Sequence, residues 1–256
     1  MSAGPDKTQG FLTPTEAKYA LEGVGFQRVQ TLPGSTFKDS STLIVVPTRG
    51  RETDRTISPV WNMTTQNLAK HMNQRVYGPI FVCGDEVGHA YNRAIRELVL
   101  SPTAAKFKFV MTIEDDNLLP PDALLRLRES IDLGPFDAVS GIYFTKGEFN
   151  MPMAYGDPIR FERAGELEFE PRDIRACLDA GEVMEVNGIA MGCALWRTDL
   201  FRRVADPWFV TVQEGEKGGG TQDLTFCARA RRVGARFAVD MRVRVGHLNT
   251  DDGVVY

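Results

Sequence analysis

Three short stretches of this 256-residue chain carry side chains that can do chemistry together. The first is Glu114-Asp115-Asp116, three carboxylates that directly follow the apolar run Phe109-Val110-Met111-Thr112-Ile113. The second is Thr221-Gln222-Asp223, at the head of an amphipathic stretch. The third is His247, just after Val243-Arg244-Val245-Gly246. Carboxylates crowded at the end of a strand are costly unless something neutralises them, and a hard divalent cation carrying a phosphorylated ligand does so. Taken singly, each stretch has a plainer reading. The acids suit a solvated turn, Asp223 suits the first turn of a helix, and a lone histidine is commonly structural.

The elements that must position these groups follow from the apolar pattern. Thr42–Pro47, Arg75–Cys83, Phe107–Ile113 and Phe136–Phe144 read as strands, and their continuous apolar runs suit a parallel sheet covered on both faces. Helices are expected from Ser58-Pro59, over Glu86–Leu100 and over Pro121–Ile131, giving a β-α-β-α-β-α-β order and a doubly wound, mainly parallel sheet. The acids then lie at the C-terminal end of the third strand, where open α/β sheets bind ligands. After Phe144 the rhythm breaks. Thr145–Gly165 reads as a long functional loop or an irregular hairpin, Pro171–Ala180 as a short helix, and Val183–Trp196 as an apolar, glycine-studded segment. Thr198–Val204 and Gln222–Val233 suit helices; Pro207–Val212, Arg236–Val239 and Val243–Val245 suit strands, with a flexible Gly215–Gly220 loop between. Residues 1–40 read as an arm or lead-in to a single domain over 41–256, with a nucleotide-binding half (41–141) and an acceptor-side half (142–256).

Composition narrows the chemistry. The net charge of −4 gives no global basic signal for nucleic acid. The arginines of the C-terminal segment (Arg229, Arg231, Arg232, Arg236, Arg242, Arg244) read as solvated charges or, if nucleic acid is the acceptor, as a phosphate footprint. Four dispersed cysteines, Cys83, Cys177, Cys193 and Cys227, form no CxxC and suit reduced residues in a reducing, cytoplasmic setting. No apolar run approaches a membrane span and no signal-peptide pattern opens the chain. GxxxxGK[ST], HExxH and GxSxG are all missing, and the GxG at Gly23–Gly25 neither follows a good strand nor continues as GxGxxG.

In their order along the chain these residues resemble the metal-dependent GT-A glycosyltransferases, particularly the family-2-like branch, from about Thr42 to Leu248. Pro47-Thr48-Arg49 looks like the first-strand loop that contacts the nucleotide, and Asp85 stands where an acid lies near base and ribose. Gly88…Asn92-Arg93 is similar to a stretch close to the diphosphate, with Tyr91 where arginine is usual. Glu114-Asp115-Asp116 resembles the DxD motif, with Glu in its first place. Gly188–Gly192 resembles a donor-sugar segment, and Thr221-Gln222-Asp223 with Ala228-Arg229 and Gly234 resembles the family's acid-bearing helix, with Gln222 replacing an acid. A closer likeness, to glycosyltransferase-like chains of phage and environmental genomes, rests on Glu86-Val87-Gly88 with Tyr91-Asn92 and on Lys146-Gly147 with Tyr155-Gly156-Asp157-Pro158.

The resemblance implies transfer of a sugar from a UDP- or GDP-sugar to a hydroxyl on a glycan, small molecule, protein or hydroxylated DNA base. It implies Asp116 and His247 as ligands of Mn²⁺ or Mg²⁺, with Mn²⁺ favoured by the imidazole. Pro47, Thr48, Arg49, Asp85, Asn92, Arg93, Glu114, Asp115 and Gly188 fall on the donor side. Gln222, Lys146, Tyr155 and Asp157 fall to sugar or acceptor, with Thr145–Pro158 as an acceptor-side lid. Inversion requires Asp223 as general base, whereas retention leaves Gln222 as a sugar contact. A GT-A-like nucleotidyltransferase would carry Gly-x-Gly-x-Arg after the first strand, which Pro47–Arg55 lacks; a non-catalytic sugar-nucleotide-binding module is the remaining alternative.

Overall fold

Strands buried on both faces dominate the sheet. In β1 (Ser41–Thr48), Leu43 and Val45 enter one core while Ile44 and Val46 enter another on the opposite face. The structure, a computed structural model, describes residues 41–48, 61, 64–65, 68, 76–83, 86–102, 107–147, 149–164, 167–173, 175, 177, 181–212, 220–249 and 251–256. The expected arm over 1–40, most of the expected helix after Ser58, Arg49, Asp85 and most of the 215–220 loop lie outside the described residues. The described residues belong to one compact unit.

The first half of the chain builds the expected alternation. β1 pairs in parallel with β2 (Val76–Cys83) and with β3 (Phe107–Ile113). Between these last two runs α1 (Val87–Ala94), capped by the Glu86 carboxylate accepting from the His89 N–H. Its expected continuation to Leu100 changes to a π turn over Ile95–Val99, closed by the Leu100 N–H donating to the Ile95 carbonyl. After β3 come the short β4 (Asn117–Leu118), α2 (Ala123–Leu133) and β5 (Ala138–Ile142).

The expected loop after Phe144 holds β6 (Ala154–Tyr155) and α3 (Pro158–Ala164). The glycine-studded segment becomes three strands, β7 (Val183–Val186), β8 (Gly188–Ile189) and β9 (Cys193–Arg197). There follow α4 (Leu200–Arg203), α5 (Gln222–Arg232), β10 (Phe237–Arg244) and β11 (Gly246–His247). The two strands expected over 236–239 and 243–245 are one, whose pairing with β5 shifts register between Asp240 and Arg244. Pro207–Val212 is extended but joins no sheet as a strand, because the Trp208 and Phe209 N–H groups both donate to the Asn92 side chain.

Seven of these strands form one sheet in the order β2-β1-β3-β9-β5-β10-β7. β9 inserts antiparallel between β3 and β5, and β7 adds antiparallel to β10. The second half of the chain thus returns into the sheet begun by the first. α1 and α5 bury Tyr91, Ala94, Phe226 and Ala230 on one face; α2 buries Leu124, Leu127 and Ile131 on the other. This is the doubly wound, mainly parallel α/β class expected. The first face is aromatic: Trp196, 0% exposed, meets Phe201, Phe209, Phe226 and Phe237 at centroid distances of 5.6 to 6.4 Å. Truncating such a side chain to alanine costs about 3–5 kcal/mol, so this cluster fixes how α5 presents Asp223. Among the described residues no helix is long and apolar enough to cross a membrane. Cys177, Cys193 and Cys227 are buried free thiols, and Cys83 is an exposed one.

Candidate active site

The acid turn begins where β3 leaves the sheet. The Glu114 N–H donates to the Gly192 carbonyl at 3.2 Å, and the Asn117 N–H closes the turn on the Glu114 carbonyl at 3.2 Å. Trp61, fully buried, donates its indole N–H to the same carbonyl at 2.7 Å. The turn is therefore held through its main chain, and none of these bonds uses its three carboxylates.

A two-residue ladder then brings the far end of the chain onto this turn. β11 pairs antiparallel with β4, setting His247 opposite Asn117 and Gly246 opposite Leu118. The Leu248 N–H adds a bond to the Asp116 carbonyl at 2.8 Å. His247 Nε2 comes to lie 3.7 Å from Asp116 Oδ2. Its Nδ1 lies 2.7 Å from the Phe144 carbonyl, a contact that requires the N–H on Nδ1 and turns Nε2 towards Asp116. The Tyr143 ring meets the imidazole edge-on at 5.5 Å, and its hydroxyl accepts from the Gly192 N–H at 2.9 Å. Gly192 is required here by close approach, since a Cβ would stand 2.2 Å from Asn117 Oδ1.

Lys146 completes this corner. Its ammonium lies 2.5 Å from Asp116 Oδ2. Burial pushes the Asp116 carboxyl up, but His247 and Lys146 outweigh it, so its pKa ends below the ordinary value. Glu114 moves the other way. Burial first, then the carboxylates of Asp116, Asp223 and Asp115, push it up to about 8, with Lys146 offsetting only part.

Asp223 arrives from α5 and is 7% exposed. Its Oδ1 accepts from the Thr221 hydroxyl and from the Leu224 N–H, which fixes the carboxylate. Burial raises its pKa despite those bonds. The Tyr91 hydroxyl is buried without a hydrogen-bond partner, and its pKa is pushed well up by burial, then by Glu114 and Asp223. Tyr155 also feels Asp223, while its hydroxyl donates to Met153 Sδ at 2.9 Å.

Other expected site residues have scaffolding partners. Asn92 is bound on both ends of its amide to the 208–209 backbone, donating to the Phe209 carbonyl at 2.6 Å, so its expected diphosphate contact gains no geometric support. Arg93 donates to the Cys83 carbonyl at the end of β2. Asp157 caps α3 through the Ile159 N–H and pairs with Arg172 at 3.4 Å. At Gly188 a Cβ would meet Phe169 at 2.8 Å and Leu224 at 3.0 Å, so the close approach expected there is to the protein's own side chains. Pro47 and Thr48 pair with Val82 and Cys83 at the same sheet end as the acids. Gln222 packs near Gly88, 3.5 Å from where a Cβ would stand. Of the C-terminal arginines, Arg229 binds the 205–208 carbonyls, Arg236 pairs with Glu185, and Arg242 with Asp240, Glu129 and Glu182. These three are taken up by the protein's own acceptors, so they do not stand free as part of a phosphate footprint.

Sequence reasoning missed Trp61, Tyr143 and Asn117 as supports of the acid turn. The available signal for Tyr143 was its polar-tipped ring at the C-terminal end of a strand, level with the acids. For Asn117 it was direct succession to Asp116.

The residues present fit a divalent cation that brings ligands of its own. Asp116 Oδ1 is buried without a hydrogen-bond partner, and His247 Nε2 faces the same carboxylate. Among the described residues no three His, Cys, Asp or Glu side chains form a ready-made cage. A site with two protein ligands suits an ion whose other positions are taken by phosphate oxygens and water.

The fold and this corner define a mixed α/β protein with a central, mostly parallel sheet and an acid-rich turn at the C-terminal end of β3. No family model matches the sequence, and no curated protein matches it. By structure the chain is similar to A197 from STIV, with a TM-score of 0.54 at 13% identity over 84% of this chain and 92% of that one. It is also similar to GalNAc-T7 crystallised with UDP, GalNAc and Mn²⁺ (TM-score 0.47, 9% identity, 82% of this chain and 44% of that one). A third is a Drosophila β1,4-galactosyltransferase 7 mutant complexed with manganese, UDP-Gal and xylobiose (TM-score 0.44, 10% identity, 78% and 65%). The likeness to A197 is one of fold.

Proposed function

We propose that this chain is a metal-dependent glycosyltransferase of the GT-A kind, moving a sugar from a UDP- or GDP-sugar to a hydroxyl acceptor. The observation that carries this reading is the convergence of Asp116, His247 and Lys146 at the end of β3, with Asp223 buried and fixed nearby. Glycosyl transfer needs the leaving diphosphate neutralised and the acceptor hydroxyl deprotonated. The corner offers cationic and metal-binding groups for the first and a carboxylate for the second.

Asp116 and His247 would hold Mn²⁺ or Mg²⁺. Bound there, the ion supplies Lewis-acid neutralisation of the diphosphate. Lys146 adds an ammonium beside it. Glu114, whose carboxyl burial and the neighbouring carboxylates push up to about 8 in the metal-free chain, is the donor-side contact next to the ion. Asp115 contributes a second donor contact at the tip of the turn. Asp223 takes the acceptor's proton: burial raises its basicity, and Thr221 with the Leu224 N–H holds it in one orientation. With Asp223 as base the anomeric centre inverts, and Gln222 and Tyr155 line the sugar or acceptor side.

Thermal melts with UDP, GDP and their sugars, each with and without Mn²⁺, test the reading. A rise in Tm that needs nucleotide and metal together supports it, and hydrolysis of one sugar nucleotide names the donor. A folded protein stabilised by none of them overturns it.

A further inference from the structure

Lys146 stands in a tension that the transfer reaction alone does not explain. Its ammonium occupies Asp116 Oδ2 at 2.5 Å, the carboxylate that His247 Nε2 also faces at 3.7 Å. A divalent ion held by Asp116 and His247 would lie against that ammonium, and two cations cannot share the carboxylate without strong repulsion. The other carboxylate oxygen, Oδ1, is buried without a partner, so the lysine satisfies only half of the group. The carboxyl groups of Asp115 and Asp223 lie near the same corner and add to its negative field. The ammonium is therefore held by a field that an incoming metal would cancel and an incoming diphosphate would restore.

The backbone around Lys146 suits a side chain that changes partners. Thr145 is anchored, its N–H donating to the Met151 carbonyl at 2.8 Å and its hydroxyl accepting from the Met151 N–H at 2.9 Å. His247 Nδ1 fixes the Phe144 carbonyl just before it. Gly147, just after, has φ of +100°, and a Cβ there would meet nothing within 4 Å. The lysine thus follows an anchored backbone segment, and its side chain is 30% exposed.

We propose that Lys146 is a resident cation of the metal corner: it holds Asp116 when the site is empty and transfers to the donor's diphosphate when a divalent ion takes the carboxylate. Metal and nucleotide then load together. The metal alone must displace the lysine with nothing to receive it, whereas the metal with a diphosphate gives the ammonium a new anionic partner. This inference rests on the reading of the acid turn as the donor site.

Mn²⁺ binding to the full chain, followed by loss of the free-ion EPR signal with and without UDP or GDP, tests it. The parent is expected to bind Mn²⁺ alone weakly and more tightly with one of the nucleotides. Lys146→Met should bind Mn²⁺ alone about fivefold more tightly, the scale of one partly exposed ion pair removed. Its gain on adding nucleotide should shrink by a similar factor, while Lys146→Arg should behave as the parent. Circular dichroism checks the fold, and Lys146→Gln carries the same expectation if the Met variant does not fold. Nucleotide-enhanced Mn²⁺ binding in the parent with unchanged or weaker Mn²⁺ affinity in Lys146→Met sinks the exchange alone. No enhancement by either nucleotide, in parent and variant alike, sinks the donor-site reading with it.

Discussion

Two clusters of charge lie on this sheet, and they are built on opposite rules. Between α2 and β10, Asp122, Arg126, Glu129, Arg242 and Asp240 alternate in sign. Arg126 pairs with Asp122 at 3.0 Å and with Glu129 at 3.7 Å; Arg242 pairs with Glu129 at 3.1 Å and with Asp240 at 2.9 Å. Ser130 donates to Asp240 at 2.7 Å. At the end of β3, by contrast, Glu114, Asp115, Asp116 and Asp223 gather like charges against Lys146 and His247. There Glu114 is pushed up to about 8 and Asp116 Oδ1 lacks a partner. Alternating charges complete one another and act as scaffold. Like charges left together leave an electrostatic demand that a ligand can meet.

Breaking each cluster should therefore produce opposite signatures. The largest effect is expected at Asp223. Asp223→Asn should lower sugar transfer by about 10²–10⁴-fold, the range for a lost general base. It should also raise Tm slightly at neutral pH, because a buried carboxylate with a raised pKa costs stability once ionised. Steady-state turnover and a melt at pH 7.5 check both, and unchanged turnover removes Asp223 from the mechanism. In the alternating cluster, Asp240→Asn should cost about 3–5 kcal/mol by leaving Arg242 under-compensated. Nucleotide and Mn²⁺ affinity of the folded fraction should not change. Next in size is ligand loading. Mn²⁺ with the cognate nucleoside diphosphate at about 100 times Kd should add about 2.7 kcal/mol, or roughly 5–10 °C in Tm. That gain should vanish with EDTA and in Asp116→Ala.

The contrast also separates what was legible in the sequence from what was not. The acid strand was legible because its signal is local: an apolar run ending in three carboxylates has one natural place in an α/β sheet. The doubly wound architecture was legible for the same reason over the first four strands. The β4–β11 ladder was not, because two-residue strands carry no periodicity, so only the family resemblance linked His247 to Asp116. Asn92, Asp157 and Gly188 show the converse: their residue types suit a site, and each also has a place in the scaffold that residue type does not reveal, as a backbone bracket, a helix cap and a packing gap. The partner of Lys146, Asp116, was not legible, since a loop lysine's partner depends on where the strand before it ends. The alternating cluster went unnoticed because its members lie apart in sequence and read individually as surface charge.

The smallest expected effect bears most directly on the like-charge rule. Glu114 has its folded pKa raised from an ordinary 4.5 to about 8. Between those values the folded chain binds a proton that the unfolded chain has released, so stability falls as pH rises through that window. Glu114→Gln removes the titration while keeping the side chain's size. The variant should approach the parent as pH falls below about 4.5, where both states of the parent are mostly protonated, and exceed it in Tm by a few degrees at pH 8.5 and above. Melts of both proteins in metal-free buffer from pH 4.5 to 9 check the crossover. The alternating cluster supplies the control, since its acids are matched by arginines. If Glu114→Gln shows no pH-dependent gain, the carboxylates of the turn are already compensated in the free protein, and the electrostatic demand assigned to this corner is not there.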